Sequence, residues 1–100
     1  DDIVDTAGTL CLAANKLKEL GARKVYAAIS HGVLSDPAIE RITNSALKEL
    51  VTTNTIQLEE YKASCPKIVQ LSVATLIGQG ILNIIDDISV SDLFVYNKGE

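Results

Sequence analysis

DDIVDTAGTL, residues 1–10, sets two adjacent carboxylates, two apolar residues and a Thr-Ala-Gly-Thr turn directly before an amphipathic run. The first backbone N–H groups of a helix have no partner within it. The helix dipole adds partial positive charge at the same place. Gly8 permits close backbone approach or a positive φ, and the hydroxyls of Thr6 and Thr9 add donors. Read this way, the turn is a phosphate cradle. A purely local reading competes with it, in which Thr9 caps the helix and Gly8 only makes the turn.

The acids bear on that choice. Asp1 and Asp2 would repel a phosphate placed on them, whereas carboxylates accept hydrogen bonds from hydroxyls. Acids followed by a phosphate turn therefore suit a sugar phosphate, with the phosphate on Thr6 to Thr9 and the sugar hydroxyls facing Asp1 and Asp2. Asp5, inside the turn, points away, holds the loop's own N–H groups, or meets the ligand through water or metal. A solvated strand end is the alternative for Asp1 and Asp2. Asp86 and Asp87, with no such turn after them, read as solvated surface.

Beyond the turn, Leu10, Ala13, Ala14, Leu17 and Leu20 recur at helical spacing, and Gly21 stands where a helix ends. KVYAAIS, 24–30, reads as an apolar strand ended by His31 and Gly32. In SDPAIERI, Asp36 is placed to cap a helix and Pro37 to occupy its first position. Asn44 and Ser45 break that helix. A strand is expected around Leu50 to Thr53. A polar connection with a short helical turn is expected over 57–67, a strand over 67–73 and a helix over 74–88. The tail SVSDLF reads as a turn whose Leu93 and Phe94 dock on the body. Short β-branched runs alternating with helical runs predict an α/β fold with a parallel sheet.

The chain has 100 residues, enough for one domain, with 47% hydrophobic and 22% charged residues. Its net charge of −4 argues against nucleic acid or an anionic membrane as partner. No apolar run is long enough to span a bilayer. Cys11 and Cys65 show no metal spacing and read as two reduced thiols in a cytoplasmic protein. His31 follows a strand, where ligands of open α/β sheets collect. Shaping the connection to the next helix is the more economical role for His31 and Gly32. Thr53, Asn54 and Thr55 likewise read first as a hydrogen-bonded turn.

DDIVDTAGT resembles the phosphoribosyl-diphosphate motif shared by type I phosphoribosyltransferases and ribose-phosphate pyrophosphokinases. SHGVLSDPAIERI, NSALKELVTTNTI, KIVQLSVATLIGQGI and SVSDLF resemble the C-terminal part of the pyrophosphokinases, in the same order and at similar spacing. The resemblance covers nearly the whole chain. It implies a type I phosphoribosyltransferase-like domain, incomplete because its leading strands are missing. Residues 1–100 would be its C-terminal, ribose 5-phosphate-binding part. The implied activity transfers diphosphate from ATP to the C1 hydroxyl of ribose 5-phosphate, giving phosphoribosyl diphosphate and AMP, with Mg2+. Asp1, Asp2, Asp5, Thr6, Ala7, Gly8 and Thr9 match the family's ribose 5-phosphate loop. The ATP site, a mobile basic loop and the metal ligands would lie upstream, so this piece is not expected to catalyse alone, and no metal ligand is assigned within it.

The resemblance further implies dimers assembled into hexamers, and an effector site for phosphate and ADP at Ser89, Ser91 and Phe94. A noncatalytic pyrophosphokinase-associated subunit and a nucleobase phosphoribosyltransferase are the alternatives. The unbroken ribose loop speaks against the first. NSALKELVTTNTI and SVSDLF speak against the second.

Overall fold

The computed structural model describes residues 1–94. Its elements follow the order β1 (Ile3–Val4), α1 (Gly8–Glu19), β2 (Val25–Ala28), β3 (His31–Gly32), α2 (Ala38–Thr43), β4 (Leu47–Thr53), α3 (Glu60–Ala63), β5 (Ile68–Leu71) and α4 (Ala74–Ile85), then a 3-10 turn at Val90–Phe94. All strand pairings are parallel. β4 lies between β2 and β5, and β1 pairs separately with β3. The expected α/β class and parallel pairing are present.

β4 is the central strand: Leu47, Leu50 and Thr52 are buried while Lys48 is exposed, and its register with β2 slips by one residue at Lys48. Leu50 and Leu47 meet Ala14 and Cys11 of α1, Ala38 and Ile42 of α2, and Ile68 of β5 in one aliphatic core. Lys48 and Glu49 hide the strand's first half from an apolar-run reading, so the strand starts at Leu47, before the expected region of Leu50. Both cysteines are buried free thiols, as expected.

α1 buries Cys11 and Ala14, while Leu17 and Leu20 are exposed. The expected apolar face is thus rotated toward the smaller side chains. Small residues let α1 lie close against the sheet. The helix ends as Gly21 implied. Gly21 has φ 108°, its N–H donates to the Lys18 carbonyl, and the Ala22 N–H donates to the Leu17 carbonyl. This pair of bonds closes the helix by a left-handed C′ residue.

Four other expectations are corrected. His31 and Gly32 do not merely end a strand; they pair with Ile3 and Val4 as β3. Asp36 does not cap α2, whose N-cap residue is Pro37 with no side-chain cap bond. Asp36 instead accepts a 3.2 Å hydrogen bond from the Tyr61 hydroxyl. The helix over 74–88 stops at Ile85, because Asp87 turns to φ 61° and the Ile88 N–H donates back to the Asn83 carbonyl. Leu93 lies beside Gly80, but Phe94 is exposed and does not dock.

Candidate functional site: the turn between β1 and α1

β1 is two residues long, and its flanks hold every residue of the expected ribose 5-phosphate loop. Asp1 and Asp2 precede it. The Ser30 N–H donates to the Asp1 carbonyl and the His31 N–H to the Asp2 carbonyl, at 3.1 and 2.7 Å. These bonds set the acidic pair level with the carboxyl end of β2, the end at which parallel α/β sheets collect ligands. Asp5, Thr6 and Ala7 follow the carboxyl end of β1 and run directly into α1. The Asp1 carboxylate accepts the Asp2 N–H at 2.7 Å.

The start of α1 lacks any side-chain cap. Thr9 sits one residue inside the helix, so the local reading of Thr9 as the cap fails. The N-cap is Ala7, at φ 63° and ψ 14°. The first helical bond runs from the Cys11 N–H to the Ala7 carbonyl. Among the described residues, none of the backbone N–H groups from Thr6 to Leu10 donates to a protein acceptor. The loop leaves a run of donors at the positive end of a helix dipole, which is the physical requirement for anion binding. Residues 3–10 line a cavity of about 190 Å³.

The glycine of the turn has a different use from a positive φ. Ala7 takes the left-handed conformation, and Gly8 begins the helix. A Cβ on Gly8 would stand 3.0 Å from Nη1 of Arg41. The same Nη1 donates to the Thr6 carbonyl at 3.2 Å. Arg41 was not legible as a site residue, since 35 positions separate it from Thr6. α2 brings it there by burying Ala38 and Ile42 in the core and leaving Arg41 on the side facing the turn. Gly8 and Arg41 also line an adjoining cavity of about 360 Å³ with Cys11, Leu12, Asn15, Asn44 and Ser45.

At the carboxyl ends of β2 and β4, Nδ1 of His31 and the Thr55 hydroxyl lie 2.6 Å apart. The Thr53 hydroxyl donates to the Ser30 carbonyl at 2.5 Å. Asn54 accepts the Val73 N–H at 2.9 Å. His31 and the Thr53–Thr55 segment thus form a hydrogen-bonded brace between loops. Among the described residues, no three His, Cys, Asp or Glu side chains gather as a metal-holding group. In the tail, the hydroxyls of Ser89 and Ser91 lie 2.7 Å apart, and the Ser91 N–H donates to the Ser89 hydroxyl.

A wider cleft of about 490 Å³ lies at the amino ends of β2, β4 and β5, its charged lining being Lys18, Arg23, Lys24, Lys48, Glu49 and Lys67. The ammonium groups of Lys18 and Lys67 are held there by backbone carbonyls. It lies at the opposite end of the sheet from the β1–α1 turn. No described helix is long and apolar enough to cross a membrane.

The sequence and the fold find the same relatives. The chain is 58% identical over 94 residues to a ribose-phosphate pyrophosphokinase of Corynebacterium ammoniagenes, a match covering 94% of this chain and 29% of that protein. It is 57% identical over 95 residues to the ribose-phosphate pyrophosphokinase of Xanthomonas campestris pv. campestris, covering 95% of this chain and 30% of the relative. The crystal structure of phosphoribosylpyrophosphate synthetase from Mycobacterium smegmatis superposes with a TM-score of 0.83 at 40% identity, over 87% of this chain and 29% of that one. The chain thus spans about 29% of the length of the curated relatives it matches. The model of the phosphoribosyl synthetase-associated domain matches residues 1–95, and the chain belongs to that family, as the motifs in its sequence led one to expect.

Proposed function

We propose that this chain is the ribose 5-phosphate-binding part of a ribose-phosphate diphosphokinase, the C-terminal portion of one type I phosphoribosyltransferase-like domain whose leading strands lie elsewhere in a longer polypeptide. The observation that carries this reading is the uncapped start of α1, with free N–H groups from Thr6 to Leu10 in the stretch DDIVDTAGT. The 5-phosphate of the sugar sits on Thr6, Ala7, Gly8 and Thr9. The ribose hydroxyls face Asp1 and Asp2, and Asp5 lies on the loop between them.

The reaction moves the β,γ-diphosphoryl group of ATP to the C1 hydroxyl of ribose 5-phosphate. The role of these residues is positioning. Fixing the phosphate end of the sugar holds the C1 hydroxyl at one place relative to a bound second substrate, which removes orientational entropy from the barrier. Asp1 and Asp2 orient the ring through its hydroxyls. ATP and the Mg2+ that neutralises its phosphates are bound by the rest of the polypeptide. The protein works in the cytoplasm as a homo-oligomer, dimers assembled into a hexamer. Ser89, Ser91 and Phe94 form an effector site for phosphate or ADP, supported by the convergence of the two serine hydroxyls. Loss of phosphate activation in a Ser89→Ala, Ser91→Ala double variant tests that assignment.

The deciding experiment assays the full-length polypeptide carrying this chain for AMP and phosphoribosyl diphosphate formed from ATP and ribose 5-phosphate. A Gly8→Val variant is expected to raise the KM for ribose 5-phosphate and leave that for ATP little changed. Consumption of phosphoribosyl diphosphate with a nucleobase, in place of its synthesis, would overturn this reading in favour of a phosphoribosyltransferase. Absence of both reactions would leave the noncatalytic associated subunit as the better account.

A further inference from the structure

We infer that Arg41 is a positioning residue for the phosphate turn, and that Gly8 is required because the Arg41 guanidinium occupies the space a side chain there would fill. The inference rests on the assignment of the turn to the sugar phosphate. Three observations carry it. Nη1 of Arg41 donates to the Thr6 carbonyl at 3.2 Å, tying α2 to the backbone of the turn. That nitrogen stands 3.0 Å from the position of a Cβ on Gly8. Among the described residues, no carboxylate lies within ion-pair distance of Arg41.

The chemistry follows from the charges. The turn carries Asp5 and follows Asp1 and Asp2, so its own ionised side chains all disfavour a phosphate monoester dianion. The free N–H groups and the helix dipole oppose this with partial charges only. Arg41 adds a full positive charge beside Gly8. An arginine cannot be neutralised at working pH, and its fork can hold a carbonyl with one N–H while the others remain free. By gripping the Thr6 carbonyl it also fixes the Thr6–Ala7 peptide that leads into the free donors.

Gly8 follows from this arrangement. A methyl group at residue 8 meets only the far end of a flexible side chain, so Gly8→Ala should displace the guanidinium and leave the fold intact. Gly8→Ala and Arg41→Gln should then produce the same defect by different routes.

The test is a double-mutant cycle in the full-length polypeptide, reading ribose 5-phosphate and ATP binding by calorimetry and the thermal midpoint of each variant. Arg41→Gln and Gly8→Ala are each expected to weaken ribose 5-phosphate binding by about tenfold or more, the scale of a lost charged hydrogen bond. ATP binding and the thermal midpoint should change little. The double variant should be no worse than the worse single one, and Arg41→Lys should recover part of the affinity. Losses that multiply in the double variant, or parent-like binding in Arg41→Gln, would overturn the role of Arg41 alone. A parent protein that binds no ribose 5-phosphate would overturn the functional assignment and this inference with it.

Discussion

Arg41 Nη1 stands 3.0 Å from where a Cβ of Gly8 would be and holds the carbonyl of Thr6 two residues earlier. One side chain from α2 therefore accounts both for the glycine of the turn and for the orientation of the peptide before it. The positive φ that such a turn needs is supplied by its neighbour, Ala7.

Ala7 is a second point where the turn holds an uncommon conformation. It is buried at φ 63°, a region costly for a residue with a Cβ. Ala7→Gly relieves that cost but loses a buried methyl and frees the unfolded chain, so the terms offset within about 1 kcal/mol. Ala7→Val meets β-branching in the left-handed region and should cost on the order of 2 kcal/mol or more. Urea unfolding of both variants measures the contrast. Equal losses for Gly and Val would mean that φ at residue 7 is not what constrains it.

Gly32 is constrained by packing. A Cβ there would lie 3.1 Å from the Thr52 hydroxyl and 3.4 Å from Cγ of Leu34, both on fully buried side chains. Gly32→Ala should destabilise the protein by about 1–3 kcal/mol. Adding Thr52→Ala removes the nearest obstacle, so the pair should cost less than the sum of the single changes. Strict additivity in thermal unfolding would contradict this contact.

Tyr61 gives a pH signature outside the site. Its half-exposed phenol is pushed above the usual value by partial desolvation and then by the Asp36 carboxylate, which accepts its hydrogen bond. The protonated phenol is the form the fold favours, so its contribution to stability is present below the ordinary pKa and lost as pH rises through the raised one. Asp36→Asn should move the Tyr61 titration downward, followed by NMR of its ring protons. An unmoved titration would show that Asp36 does not act on it.

Much of this was legible in the sequence, for identifiable reasons. The 1–9 turn is local, and a Thr-Ala-Gly-Thr stretch before an apolar helical run marks a helix start from residue types alone, although whether Thr9 caps it was settled only by the fold. Gly21 closes α1 as its position implied, since a C′ residue is also a local matter. What the sequence concealed is non-local. Lys48 and Glu49 masked the start of β4, because the pairing with β2 slips at Lys48 and leaves that charged side chain exposed at the strand's amino end. Leu17 and Leu20 looked like core, yet the sheet takes Cys11 and Ala14, since only small side chains permit the close approach. Asp36 had the residue type of a cap, but its carboxylate is taken by Tyr61, 25 positions away. Arg41 had no signal of its own; only the packing of α2 against α1 brings it to Thr6.

The central claim is that the Thr6–Thr9 turn holds the phosphate of a sugar phosphate. It is tested most directly by a crystal structure of the full-length polypeptide with ribose 5-phosphate. The account predicts phosphate oxygens within hydrogen-bond distance of the N–H groups between Thr6 and Leu10, with the ring hydroxyls toward Asp1 and Asp2. A sugar phosphate bound with its phosphate away from this turn, or with its ring hydroxyls on the N–H groups instead, would contradict it.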